Sequence, residues 1–352
     1  MRAWNLISLA AARALAIDAL SVLPRQSEVV DLRAALGRIA AVDVMNGEDN
    51  PPFNRSTVDG YAVRSEDLLA ASTDAPVLLQ LLGEVRMGRP SLTEIAAGQT
   101  VRIPTGGMLP EGADAVLMQE YTVLQGTGRV MAMRPVLPRE NLIARGDDVA
   151  AGVVILSAGS RIGVPDLGLL AACGFARIQV VKKPVVTVVT TGDEIVPPEV
   201  VPEPGQIRDV NSFTLAALAE TAGCEVVHAA RVPDSQAGLT AVLQTALQNS
   251  DLILVSGGSS VGDRDFTTVA VQSLPGAITL FHGVALKPGK PTLLAMVGKT
   301  AVFGIPGHTV AAMTVFHELV EPALAARQGM PASDGRFVIQ ARLGACLRPD
   351  AE

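Results

Sequence analysis

Aromatic side chains are scarce, at 3% of the 352 residues, so the cores of this chain have to be built from Ala, Val, Leu and Ile. Cysteine is scarcer still. Cys173, Cys224 and Cys346 are an odd number with no CxxC pair, which argues against a disulfide framework or a structural zinc site. They read as small buried thiols. The four histidines form no ligand set by spacing. No block of Lys and Arg occurs and the formal net charge is −7, which excludes a protein that grips nucleic-acid backbone through a basic face. A local anion site needs only a few residues and stays open. No stretch of eighteen uncharged apolar residues is present, so no membrane span is expected. The N-terminal run MRAWNLISLAAARALAIDAL is interrupted by Arg13 and Asp18 and continues as an amphipathic helix, so it reads as part of a mature cytoplasmic protein and not as a signal peptide. GxSxG, Walker A and a complete dinucleotide fingerprint are missing, which disfavours a serine hydrolase and a P-loop ATPase.

What is present is a long, apolar, turn-rich chain. Apolar residues make up 49%, and 33 glycines and 23 prolines are spread without a period, so many short elements in more than one domain are expected. Residues 5–22 and 29–40 read as helices, Gly37 lying near the end of the second. NGEDNPPFNRSTVDG cannot be regular, because Pro51 and Pro52 remove donors and fix the backbone. Short β-like pieces fill 58–135, with a hairpin turn at Gly126–Gly128. Residues 151–183 return to strand, turn and helix, with Pro165 at a first helical position. The expected organisation is a discontinuous N-terminal linker or dimerisation domain (1–48 and 151–183), a β-rich inserted domain (49–150), an α/β domain (184–328) and a remnant (329–352) with room for one strand, FVIQARL. Trp4 and the methionines at 108, 118, 131 and 133 read as core or partner-facing residues.

The segment 184–328 alternates continuous apolar strands (184–190, 224–230, 251–256, 301–305) with helices (211–223, 234–250, 308–327), Asn211 standing as a cap of the first. That pattern predicts a parallel sheet covered on both faces, with ligands beyond the carboxyl ends of its strands. Polar clusters fall at those ends: Thr190, Thr191, Gly192, Asp193 and Glu194; Asp234; Ser256, Gly257, Gly258, Ser259, Ser260, Gly262, Asp263 and Asp265; Pro306, Gly307 and His308. Glycines beside hydroxyls expose backbone N–H groups that hold phosphate, and carboxylates reach an anion through a divalent cation such as Mg²⁺. Lys287 and Lys290 in ALKPGKPT add fixed positive charge. Each signal has a plainer reading: SGGSS as a tight turn, Asp263 and Asp265 as helix caps, Lys287 as surface, His308 as an N-cap. Their convergence on one sheet edge favours the site.

The motifs PPFNRSTVDGYAV (51–63), RIPTGGMLPEGADAVLMQE (102–120), GDDVAAG (146–152), TTGDEI (190–195), SGGSSVGDRDF (256–266), LKPGKP (286–291) and GIPGH (304–308) resemble, in order, the molybdopterin molybdenumtransferases, the MoeA family, whose eukaryotic relatives include the gephyrin E domain. The resemblance implies a multidomain α/β plus β fold: a molybdopterin-binding three-layer α/β sheet domain, a discontinuous N-terminal domain with an all-β insert, and a C-terminal β domain that is largely missing here. It implies a homodimer whose cleft the neighbouring subunit completes, with a molybdopterin adenylyltransferase or a molybdoenzyme apoprotein as further partners. The implied reaction inserts molybdate into adenylylated molybdopterin, with Mg²⁺, and releases AMP. The implied catalytic residues are Asp59, Asp148, Glu194, Asp234, Asp265 and Lys287, with Glu194, Asp234 and Asp265 as metal ligands. The implied cofactor-binding set is Thr191, Gly192, Asp193, Ser256, Gly257, Gly258, Ser259, Ser260, Gly262, Lys287, Pro288, Gly289, Lys290, Gly307 and His308. The chain departs from the family at Ile143, where an arginine is expected, at Gly283, where a lysine is expected, and at His308, in PGHT for the usual PGNP. Those departures keep a second function in view, a non-catalytic molybdopterin-binding or carrier paralogue. A third, molybdopterin adenylyltransferase, suits the sheet domain but not the large N-terminal half.

Overall fold

A computed structural model describes residues 6–228, 231–258 and 266–330. Trp4, Cys346 and the FVIQARL segment lie outside them. The chain forms two compact units, one of Met1–Val42, Ala158–Gly163 and Arg177–Glu352, the other of Asp43–Ser157 and Val164–Ala176. These cut the chain at different positions from the four segments read off the sequence.

The first unit is built on a six-stranded sheet. Its strands are β1 (Val185–Thr190), β2 (Glu225–His228), β3 (Leu252–Ser256), β4 (Ala277–His282), β5 (Leu293–Val297) and β6 (Thr300–Ile305), in spatial order β2-β1-β3-β6-β5-β4. The first four are parallel, and β5 and β4 run antiparallel to their neighbours. The expected all-parallel sheet is therefore corrected to a mixed one. The two added strands hide in a stretch where the glycine- and proline-rich LKPGKPT loop masks the strand pattern.

Successive residues face opposite sides, as the two-residue strand period demands. Val186, Val188, Leu252, Leu254 and Phe303 pack on one face, and Val189, Ile253, Val255 and Val302 on the other. The first face is covered by helices α1 (Leu9–Ser21), α2 (Asn211–Thr221), α5 (Thr309–Val315) and α6 (Glu321–Arg327). The second is covered by α3 (Gln236–Ala246) and α4 (Phe266–Gln272). This makes the three layers.

Helix α1 begins where Ser8 Oγ accepts the Ala11 N–H at 3.2 Å. Ala12, Ala16 and Leu20, spaced four apart, form its buried stripe against α6. Burying Leu20 alone contributes about 1.5–3 kcal/mol. The helical run from α5 to α6 passes through a π turn, Phe316–Val320. Pro322 has no N–H to return to the Glu318 carbonyl, and that carbonyl accepts Arg13 Nε of α1 at 3.0 Å. The Arg13 guanidinium also pairs with the Glu318 carboxylate.

The expected helix at 29–40 does not form. Ser27–Asp31 is a strand, antiparallel to Arg177–Val181, and only a 3₁₀ turn, Leu32–Ala34, follows it. Val29 and Val30 are β-branched and find a pairing partner, Asp31 caps the short turn through the Arg33 N–H, and Ala35 closes it, its N–H donating to the Leu32 carbonyl. Tertiary pairing overrode the apolar periodicity.

The second unit holds a six-stranded sheet in the order Ala115–Met118, Gly60–Val63, Gln99–Ile103, Val77–Glu84, Arg129–Ala132, Thr122–Gln125. Only the Gln99–Ile103 and Val77–Glu84 pair is parallel. The hairpin read at Gly126–Gly128 joins Thr122–Gln125 to Arg129–Ala132. Val164–Ala172 is a helix with Pro165 in its first turn. Among the described residues no helix is long and apolar enough to cross a membrane.

Candidate functional site

Four loops of the first unit meet at the carboxyl edge of the sheet, and hydrogen bonds tie them together. The β1 ladder extends past its strand, where the Thr191 N–H donates to the Ser256 carbonyl at 2.9 Å. Thr191 Oγ1 donates to Asp234 Oδ1 at 2.8 Å, and the Asp234 N–H donates to Asp193 Oδ1 at 3.1 Å. The TTGDE loop and the loop after β2 are thus one polar assembly. Thr190 Oγ1 donates to Asp209 Oδ2 at 3.1 Å, while Asp209 Oδ1 accepts the Ser212 N–H and caps α2.

Asn211 is not the cap that the sequence suggested. Asp209 has that role, and the Asn211 side chain turns inward, 7% exposed. Its Nδ2 donates to Ser256 Oγ at 2.8 Å and to the Gly307 carbonyl at 2.7 Å. A carbonyl oxygen only accepts, so the contact with Gly307 fixes which amide atom is nitrogen. Asn211 Oδ1 is then a buried acceptor with no partner among the described residues. One side chain therefore links the ends of β3 and β6 to the start of α2.

Glycine is required at 257. Its φ is +102°, and a Cβ there would stand 2.1 Å from the Thr191 carbonyl oxygen. Only a bare backbone lets the loop after β3 lie against the loop after β1. Register also brings the LKPGKP loop to this edge, because His282 pairs with Leu293 and Leu293 with Gly304. Thr292 Oγ1 holds the Gly289 carbonyl at 2.6 Å, and Lys287, Pro288 and Lys290 are exposed.

Of the residues chosen from the sequence, Thr191, Gly192 and Ser256 are buried here, Asp234 is half-buried, and Asp193, Glu194, Gly307 and His308 are exposed. Gly258 follows Gly257 at this edge, and Gly289 is buried in its loop. His308 precedes α5 without a side-chain capping bond. Ser259, Ser260, Gly262, Asp263 and Asp265 lie outside the described residues. Among the described residues no three of His, Cys, Asp and Glu are gathered closely enough to hold a metal ion. Glu194 and Asp234 offer the oxygen chemistry that Mg²⁺ takes, and the third expected ligand is Asp265.

Asp59 and Asp148 belong to the second unit. Asp59 Oδ1 accepts the Thr105 N–H at 2.7 Å and Thr105 Oγ1 at 3.0 Å. These two bonds, backbone first, hold its carboxyl below the ordinary value, with Arg102 adding a smaller pull. Asp148 faces Arg55 Nη2 at 3.4 Å. Ile143 pairs across a two-residue ladder with that same Arg55, so a guanidinium is carried on the strand opposite the position where the family resemblance called for one. Asp49 was missed. It accepts the Ala151 N–H at 2.9 Å and Arg145 Nε at 2.8 Å, which lower its pKa in that order. Asp209 and Asn211 were also missed as site residues; their signal was a pair of short polar residues two apart at a helix start.

The family described as "MoeA N-terminal region (domain I and II)" matches residues 7–174, and the "Probable molybdopterin binding domain" matches 187–326. A molybdopterin molybdenumtransferase of Haemophilus influenzae is 37% identical over 306 residues, 87% of this chain and 74% of that protein. One of Bacillus subtilis is 34% identical over 302 residues, 85% of this chain and 70% of that protein. A crystal structure of a molybdopterin biosynthesis MoeA protein from Pyrococcus horikoshii superposes with a TM-score of 0.80 at 34% identity, covering 92% of this chain and 81% of that one. With the edge loops, both domain matches and these relatives in agreement, the chain belongs to the MoeA family of molybdenum cofactor biosynthesis.

Proposed function

We propose that this chain is a molybdopterin molybdenumtransferase, which inserts molybdate into adenylylated molybdopterin and releases AMP. The observation that carries the reading is the edge assembly in which Thr191, Asp234, Asn211 and Ser256 lock four loops beside the lysine-bearing LKPGKP loop. The lysines of that loop suit the phosphate of the pterin substrate, and loops bonded to one another need no reorganisation when charge develops. Glu194, Asp234 and Asp265 would hold Mg²⁺, which would offset repulsion between two anionic substrates when bound. Lys287 would hold the pterin phosphate or the oxyanion. The family resemblance also gives Asp59 and Asp148, in the second unit, a part in catalysis. The chain would act as a homodimer, for which solution mass is the check.

The test is incubation of the protein with adenylylated molybdopterin, molybdate and Mg²⁺. Molybdate-dependent AMP release is expected. Pterin binding without AMP release would refute the enzyme and leave the second reading, a molybdopterin carrier. One observation favours that second reading. Gly283 is buried at φ +102°, and its carbonyl accepts the Ile7 N–H at 3.2 Å. Backbone in that region disfavours any side chain, so the expected lysine is opposed by conformation as well as missing from the sequence.

A further inference from the structure

The opposite edge of the same sheet has chemistry of its own. Where Val185, Asp251 and Thr300 lead into β1, β3 and β6, a cavity of about 370 Å³ opens. Lysine is rare in this chain, which has five: Lys182, Lys183, Lys287, Lys290 and Lys299. Two belong to the LKPGKP loop, and the other three line this cavity. They arrive from two separate turns, and Arg327 joins them from the end of α6.

The single carboxylate in the lining is already engaged. Asp251 Oδ1 accepts Arg327 Nη2 at 2.7 Å, and Oδ2 accepts the Val185 N–H at 2.9 Å. Arg327 Nε is buried with no acceptor among the described residues. Lys182, Lys183 and Lys299, beside an Asp251 that Arg327 neutralises, make a positive pocket on a chain whose formal charge is −7.

We propose that this cavity binds a small phosphate-bearing anion, at a site distinct from the carboxyl edge. Lysine ammoniums serve phosphoryl oxygens as mobile point charges, and the Arg327 fork adds directed donors. Asn249 and Gln248 add polar side chains to the lining. The volume falls at the small end of ligand sites, on the order of 300–1,000 Å³, and so fits pyrophosphate or a mononucleotide and no polymer. Along β1, Val185 and Thr190 are about 17 Å apart at 3.3 Å per residue, too far for one small ligand to span both edges.

The test is isothermal titration of the full chain with sodium pyrophosphate, and in a second arm with ADP. Hydrogen exchange locates the site. Binding is expected with new protection at 182–185 and 248–251. The Lys183→Gln/Lys299→Gln double variant should weaken it by about tenfold or more, the loss of charge-assisted bonds. Lys183→Arg/Lys299→Arg should restore most of it, which separates charge from a folding defect. Arg89→Gln, an exposed control, should stay within about twofold of the parent, and Lys287→Gln, in the loop proposed to hold the pterin phosphate, should leave the protection at 182–185 and 248–251 in place. Tighter binding of ADP than of pyrophosphate would assign a nucleotide, and equal binding would assign the phosphate groups alone. Loss confined to Lys287→Gln, equal affinity in all variants, or no binding of either probe at millimolar concentration would overturn the proposal, whether or not AMP release is found.

Discussion

Asn211→Asp is the most informative single change at the carboxyl edge, since it keeps the shape of the side chain and replaces the donor with an oxygen. The two bonds made by Nδ2, to Ser256 Oγ and the Gly307 carbonyl, contribute about 0.5–1.5 kcal/mol each as neutral hydrogen bonds. The larger effect is electrostatic. Once ionised, the introduced carboxylate would be an unpaired charge in a buried position, facing a carbonyl oxygen, at a cost of about 3–5 kcal/mol. Burial favours the neutral acid, so the folded pKa of the introduced carboxyl rises above its unfolded value of about 3.9. A group shifted in that direction is tolerated below the unfolded pKa, and stability falls as pH rises toward the folded pKa, at about 1.4 kcal/mol per pH unit. Urea unfolding of parent and variant at pH 5.5 and pH 8 should therefore show a deficit that grows with pH. Asn211→Ala, by contrast, also removes the unpartnered Oδ1, so its deficit should be smaller, about 1–2 kcal/mol, and independent of pH. If Asn211→Asp matches the parent to within about 0.5 kcal/mol at pH 8, the amide does not donate to Gly307 and the linkage between β3, β6 and α2 is wrong.

Gly257→Ala should destabilise by about 2–4 kcal/mol from strained backbone and the clash with the Thr191 carbonyl; urea unfolding measures it, and a neutral result would contradict the close approach. Asp234→Asn keeps an acceptor for Thr191 Oγ1 but removes a charge, so AMP release should fall by about tenfold or more while pterin affinity, measured by fluorescence titration, changes little; unchanged turnover would remove Asp234 from the chemistry. Thr105→Val deletes one of the bonds to Asp59, so the Asp59 carboxyl should titrate closer to its ordinary value of 3.8, as followed by NMR. The stability that this lowered pKa contributes is present above the unfolded value and is lost as pH falls through the folded one, so the variant should lose less than the parent on acidification. An unmoved titration would mean that Thr105 Oγ1 does not donate to Asp59.

Much of the sheet domain was legible because burial on both faces leaves a plain signature. VVTVVT and LILVS are continuous apolar runs, and they became β1 and β3. The carboxyl-edge loops were legible for the same reason, since each begins where such a run stops. Strands β4 and β5 were not foreseen, because AITLFH and LLAMV flank a loop whose glycines and prolines dominate the reading. The segment 29–40 misled because Val, Leu and Ala at helical spacing also suit an edge strand, and the decision lay with the distant partner Arg177–Val181. In the sequence Asn211 reads only as a cap, because its partners Ser256 and Gly307 are 45 and 96 residues away. Nothing local reports contacts of that range.

The pairing of α1 with α6 has a consequence for how the protein is made. Arg13 and Glu318 are 305 residues apart in the chain. A ribosome adding roughly 5–20 residues per second needs about 15–60 s to cover that interval. Until α6 has been made, the Ala12, Ala16 and Leu20 stripe lacks the helix it packs against. Helix α1 therefore finds its place only once α6 has been made, and during that wait its apolar face is available to chaperones or to the same face on a neighbouring nascent chain.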